Sequence, residues 1–163
     1  MIETLRKMKL DITDRRILSF LQKDSKMTTK ELSLHLDLSS TAVYERIKKM
    51  EKEGVIKGYS ALIDRVRTGR GFVVFCQIKL LQHRHEYVVK FEREVIRFDE
   101  VLECYNVSGD YDYLLKVMVR DMKANHDFIN DKLTRLDHIG SAHSTFIIHE
   151  VKNSHVVPVL PEN

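Results

Sequence analysis

Residues 28–53 read as two short helices joined by a tight turn, and that pairing leaves the first part of the chain few folds. Thr28 and Glu31 form a Thr-x-x-Glu capping box, and Leu32 and Leu36 follow one turn apart on one face. Beyond Asp37-Leu38-Ser39 a second helix begins, in which Val43, Ile47 and Met50 recur at helical spacing as a buried stripe. Its other face shows Ser40, Thr41, Tyr44, Glu45, Lys48 and Lys49, all able to hydrogen-bond, and Gly54 supplies a left-handed stop. Two readings fit: a helical hairpin with a solvated charged face, or a helix-turn-helix whose second helix enters the major groove of duplex DNA. Spacing alone does not separate them.

Charge and context favour the second. Residues 1–70 hold 16 Lys and Arg against 10 Asp and Glu, a net of +6, whereas residues 71–163 hold 11 against 14, a net of −3. The basic excess lies in the half that carries the helix pair, and phosphate neutralisation dominates DNA affinity. A further helix precedes the pair, with Thr13 as its expected N-cap, Asp14 in its first turn and Ile17, Phe20 and Leu21 as its buried face. After Gly54, residues 55–63 are strand-like, as a wing or a linker strand would be. Residues 65–71 are basic, glycine-bearing and aperiodic, which sets the expected division: a DNA-binding domain over 1–64, a linker over 65–71 and a second domain over 72–163.

The second half changes period. Strands are expected over 72–80, 101–107, 111–120 and 141–151, and helices over 85–98 and 122–136, with a turn at Ser108-Gly109-Asp110. The order β-α-β-β-α-β is that of a ferredoxin-like unit, whose two helices cover one side of a four-stranded sheet. Phe72, Val74, Tyr113, Leu115, Phe146 and Ile148 are expected on the uncovered side, where a second copy packed sheet to sheet would shield them. The fold class is therefore α+β, a helix-turn-helix followed by a ferredoxin-like domain.

Composition excludes several alternatives. Hydrophobic residues make up 43% and charged residues 31%, no run approaches a membrane span, and the first nine residues carry no apolar core of signal-peptide length. Cys76 and Cys104 lie outside any C-x-x-C, so free thiols in a reducing cytoplasm are the default, with a disulfide between them as the alternative. His83 and His85 lack a Cys partner or a helical i,i+4 mate, and His143 and His149 alternate with other residues, so no metal site is expected. No nucleophile elbow or glycine-rich phosphate loop is present, and neither an enzyme nor a cofactor is called for.

Leu10-Asp11-x-x-Asp14-x-x-Ile17-Leu18, the helix pair, Gly54-Val55-Ile56-x-Gly58-Tyr59 and then Gly109-Asp110-Tyr111-Asp112 resemble, in order and spacing, the leucine-responsive/asparagine-responsive (Lrp/AsnC) transcription regulators. The resemblance covers roughly residues 10–155. It implies a winged or wing-like helix-turn-helix joined to a domain that binds amino acids or related metabolites between subunits, and dimers that assemble into tetramers or octamers. It assigns DNA contacts to Ser39, Ser40, Thr41, Tyr44, Glu45, Lys48 and Lys49, and to Arg46 either a DNA contact or a structural salt bridge to the preceding helix. Lys7, Lys9, Arg65, Arg67 and Arg70 are candidate phosphate contacts. Effector contacts are expected from Gly109, Asp110, Tyr111, Asp112, Ala142 and Ser144, the alternative for the Gly-Asp-Tyr-Asp turn being a tight hairpin with a packed tyrosine. Asp37 stands where the family often has Gly, and Asp tolerates the left-handed conformation; Ser40 stands where Pro is frequent, and Ala142 where a threonine is. Two rivals remain within the same fold: an architectural DNA-wrapping protein without effector, and a sirohaem-decarboxylase-like enzyme, against which the polar, lysine-bearing second helix argues.

Overall fold

The computed structural model describes residues 9–160. Contacts divide the chain into two compact units, one running up to Leu62 and rejoined by the tail from Lys152, the other Ile63–Val151. The tail, expected to close the second domain, thus packs with the first.

The first unit is three helices around one core. Helix α1 (Ile12–Lys23) is capped by Asp11, not Thr13: Asp11 accepts from the Asp14 N–H while Asp14 accepts from the Asp11 N–H, an Asp-x-x-Asp version of the capping box. Helix α2 (Thr29–Leu36) starts with the Thr28–Glu31 box and ends on Asp37, whose φ of 55° and ψ of 50° are left-handed. Helix α3 (Ser40–Lys52) has Ser39 as N-cap, its Oγ accepting from the Ala42 N–H at 3.1 Å. Ile17, Leu18, Leu21, Leu32, Leu36, Val43, Ile47 and Met50 form the buried core, whereas Phe20, expected in it, is half-buried and stacks on His35.

Residues 55–63 form no strand. The Val55 and Ile56 N–H groups both donate to the Met50 carbonyl behind the left-handed Gly54, and their side chains close over the helical core. A strand needs a ladder partner, and none of the described residues supplies one here.

The second unit is an antiparallel sheet in the order β2-β3-β1-β4, formed by β1 (Phe72–Leu80), β2 (Val101–Asn106), β3 (Tyr113–Val119) and β4 (Ile139–Phe146). Helices α4 (His85–Val95) and α5 (Met122–Asp131), the second followed by a 3-10 turn over Leu133–Arg135, complete the expected order. Both helices and the last strand are shorter than the sequence suggests. The β4 ladder ends with Phe146 opposite Val74, and Ile147, Ile148 and Val151 lie outside it.

The two faces of the sheet are the reverse of the expected assignment. Val74, Tyr113 and Leu115 are buried with Cys76, Ile78, Val117, Phe91, Val95 and Phe128, and Phe72 packs on the same cluster, so these side chains face the helices. Phe146 pairs with Val74 and shares that face, and Ile148 lies beyond the strand, fully exposed. The open face instead carries Val73, Phe75, Gln77 and Lys79 of β1, Leu114, Lys116 and Met118 of β3, and His143 and Thr145 of β4. Cys76 and Cys104 both pair with Leu115, from opposite sides, so one strand separates them. That places them about 10 Å apart, too far for a disulfide, and both are free. Burial pushes both thiols above their ordinary range.

Candidate functional site: a DNA-reading helix and an effector turn

Helix α3 turns Val43, Ile47 and Met50 inward, which leaves Ser39, Ser40, Thr41, Tyr44, Glu45, Lys48 and Lys49 exposed together. Its N-terminus is fixed by the Ser39 cap and by a 3.3 Å hydrogen bond from Ser40 to Ser33 of α2. The face is partly pre-paired. Lys48 bonds Glu51 at 2.8 Å and lies 5.7 Å from the Tyr44 ring centroid, and the Tyr59 hydroxyl donates to the same Glu51 carboxylate at 3.0 Å. Glu51 holds the Lys48 ammonium above its ordinary pKa. A phosphate would have to compete with Glu51 for Lys48, while Lys49 has no ion pair among the described residues.

Arg46 points elsewhere. Its Nη1 donates to Asp11 at 2.6 Å and Asp14 at 2.7 Å, the two carboxylates of the α1 cap. The structural alternative therefore describes its position, although the partner is α1 and not the preceding α2. Asp11 is held below the usual carboxylate range, first by the Asp14 N–H and then by Arg46. The basic linker is paired in the same way: Arg65 with Glu150 at 2.6 Å and Arg67 with Asp64 at 3.3 Å, while Arg70 lies in the field of Glu100. Of the other candidate phosphate contacts, Lys9 is exposed and Lys7 lies outside the described residues.

In the second unit the expected effector residues do not converge. Gly109, at φ 118°, and Asp110 are exposed in the β2–β3 turn. Tyr111 leans on His143 of β4, ring centroids 5.5 Å apart, on the open side. Ala142 and Ser144, one residue either side of His143, face the helices: Ala142 packs on the core and Ser144 lies 3.7 Å from the Cys76 sulfur. Strand alternation makes this unavoidable, since neighbours on a strand point to opposite faces. Asp112 serves the scaffold, accepting from the Leu80 N–H at 2.7 Å and pairing with His83 at 2.7 Å. Burial alone raises its pKa, but these two partners outweigh burial and hold it below the usual range. His143, which lies beside the Tyr111 ring, is not among the expected contacts, because the expected parity of β4 put Phe146 and Ile148, not His143, on the open face.

Comparison with known proteins divides at the same point of the chain. Residues 10–57 match the profile of a winged helix-turn-helix DNA-binding domain, and residues 73–157 that of the Lrp/AsnC ligand binding domain. The chain is 37% identical over 145 residues to the leucine-responsive regulatory proteins of Escherichia coli K12 and Klebsiella pneumoniae, covering 89% of this chain and 88% of each relative. Among solved structures, an AsnC family transcriptional regulator from Agrobacterium tumefaciens superposes with a TM-score of 0.87 at 36% identity, over 91% of this chain and 97% of that one. A transcriptional regulator from Neisseria meningitidis, solved in complex with L-Met, gives 0.86 at 31% identity, over 94% and 97%.

Proposed function

The chain belongs to the Lrp/AsnC family of DNA-binding transcription regulators, and on that premise we propose that it binds a pseudo-palindromic operator as a homo-oligomer whose assembly responds to an amino acid. One observation carries the DNA half: α3 presents its polar side chains, Lys49 among them, on a single exposed face of a helix fixed to both of its neighbours. Ser39, Ser40 and Thr41 at its N-terminal end would donate to phosphates or base edges, with Tyr44, Glu45, Lys48 and Lys49 further along the groove. Arg46 acts by holding the helix in place. A dimer would set two such helices on half-sites about one turn, ~34 Å, apart or a multiple of it. A DNA target would be met in the cytoplasm.

In a dimer, Lys49→Ala removes one cation per recognition helix. The slope of log affinity against log salt should fall by about 2, and affinity should weaken on specific and non-specific DNA alike. Lys48→Ala should do less, because Glu51 already neutralises it. Salt-titrated binding curves on promoter DNA decide this, and an unchanged slope would remove the α3 face from the interface.

The effector half rests on the turn of the exposed Gly109 and Asp110 and the half-buried Tyr111, beside His143. Backbone N–H groups, a carboxylate and an imidazole there complement the carboxylate and ammonium of an α-amino acid, and the Neisseria relative was solved with L-Met. The open sheet face, with Phe75, Leu114 and Met118 among polar neighbours, suits a second copy packed sheet to sheet. Dimers assembling into tetramers or octamers would then link effector occupancy to DNA affinity. Calorimetry of the ligand-free protein against the twenty amino acids should find one that binds and is lost in Asp110→Ala. A blank screen with intact DNA binding would favour the architectural alternative.

A further inference from the structure

We propose that the outer face of α1 is a docking site for an extended peptide, and that its occupant is this chain's own C-terminal segment at residues 157–159. Gln22 grips Val157 at two points: its Nε2 donates to the Val157 carbonyl at 3.1 Å, and the Val157 N–H donates to Gln22 Oε1 at 2.6 Å. Arg15 donates to the Val159 carbonyl at 2.7 Å, and the Val159 side chain packs against the core of the helix-turn-helix.

The facing on both partners matches, and the long Arg15 side chain spans the difference in spacing. Arg15 and Gln22 lie seven residues apart, about two helical turns, and so share one face of α1. On an extended chain the N–H and C=O of one residue point to the same edge, and the residue two further on repeats that direction, so Val157 and Val159 present their groups together. Pro158 stands between them, and it has no N–H to leave unbonded while its ring holds the backbone extended. A glutamine amide is the side chain that copies a neighbouring strand's donor–acceptor pair. Within this tail the burial falls on Val159, which is half-buried, whereas residues 147–158 are exposed and Val157 is held by its backbone bonds.

The consequence is a second connection, covalent along the chain and hydrogen-bonded at α1. Chain belonging to the DNA-reading unit flanks the second unit on both sides, up to Leu62 before it and from Lys152 after it. A docked strap holds the helix-turn-helix to the ligand-binding unit's last strand as well as to its first. Free, it would leave a single linker.

Amide exchange of the full chain tests the docking without reference to DNA or effector. The Val157 amide should exchange roughly tenfold more slowly than the amides of residues 149–154, and the difference should vanish in Gln22→Leu and shrink in Arg15→Met. Both substitutions are on the surface of α1 and leave its buried residues in place, and unchanged protection of Leu32 and Ile47 would confirm that the fold persists. Exchange of the Val157 amide as fast as that of residues 149–154 in the unmodified protein would overturn the proposal, and so would protection that survives the Gln22→Leu, Arg15→Met double variant. Protection that falls away on dilution would put a second copy's tail on α1 and overturn the intrachain occupant.

Discussion

Arg46→Met should destabilise the helix-turn-helix unit by about 2–3 kcal/mol while leaving the second unit unaffected. Asp14 is the reason. Its side chain is 6% exposed, and Arg46, itself 35% exposed, is its charged partner at 2.7 Å. Truncating one member of a buried pair strands the other charge, a cost of about 3–5 kcal/mol when both are fully buried; the partial exposure of Arg46 lowers that figure. The readout is amide exchange along α1, α2 and α3 in denaturant, with the sheet amides as internal control. A double-mutant cycle with Asp14→Asn should recover much of the loss, because a neutral amide needs no counter-charge. If Arg46 instead reads DNA, Arg46→Met would keep its stability and lose operator binding, an outcome opposite in the stability measurement. The pH dependence has a fixed sign. Asp11 has a folded pKa below its unfolded value, so its contribution is complete above about pH 4 and is lost as pH falls through the lowered folded value. Arg46→Met should flatten that acid limb.

Such a prediction depends on features that were only half legible in the sequence. Local signals read true: the Thr28–Glu31 box, the left-handed Asp37, the Gly54 stop, the Val43, Ile47 and Met50 stripe and the limits of β1 all follow from residues within a few positions of one another. The α1 cap was placed two residues late because an Asp-x-x-Asp box is less conspicuous than one that begins with Thr. Sheet parity was the larger failure. In β1 the sequence Phe72-Val73-Val74-Phe75-Cys76 is apolar at every position, so a period of two cannot say which set meets the helices. Only the register, with Val74 opposite Val117 and Cys76 opposite Leu115, settles it. The same parity moved Ala142 and Ser144 away from Tyr111 and brought His143 beside it. Residues 147–151 are strand-like in composition yet have no ladder partner, and nothing in the sequence of the tail signals that its backbone lands on Gln22 and Arg15 of α1, more than 130 residues away.

Asp112 separates a scaffold role from a ligand contact. Strands β1 and β4 slip register between Lys79 and Leu80, and there the Leu80 N–H is taken by the Asp112 carboxylate at 2.7 Å, while the Asp112 backbone bonds Ile78, Val107 and the Asn106 side chain. Leu80 is 3% exposed, so Asp112→Ala leaves a buried donor without a partner and should cost the second unit about 2 kcal/mol, the charged acceptor raising the figure and its partial exposure lowering it. Asp112→Asn keeps an oxygen for the Leu80 N–H and should cost less than half as much at pH 7. Its signature lies in acid. The folded carboxyl of Asp112 is depressed, so its stabilisation is present above about pH 4 and disappears as pH falls through the folded value; the asparagine variant should lose that slope, and its gap to the unmodified protein should be smaller at pH 3 than at pH 7. Urea unfolding of the sheet at pH 7 and pH 3 measures both effects. Because Asp112 anchors the turn that carries Gly109, Asp110 and Tyr111, amino-acid affinity in the two variants should track their stability, Asp112→Ala weakening it most. If the carboxylate itself held the ligand's ammonium group, Asp112→Asn would abolish binding at nearly full stability, and the effector contacts would have to be redrawn around Asp112.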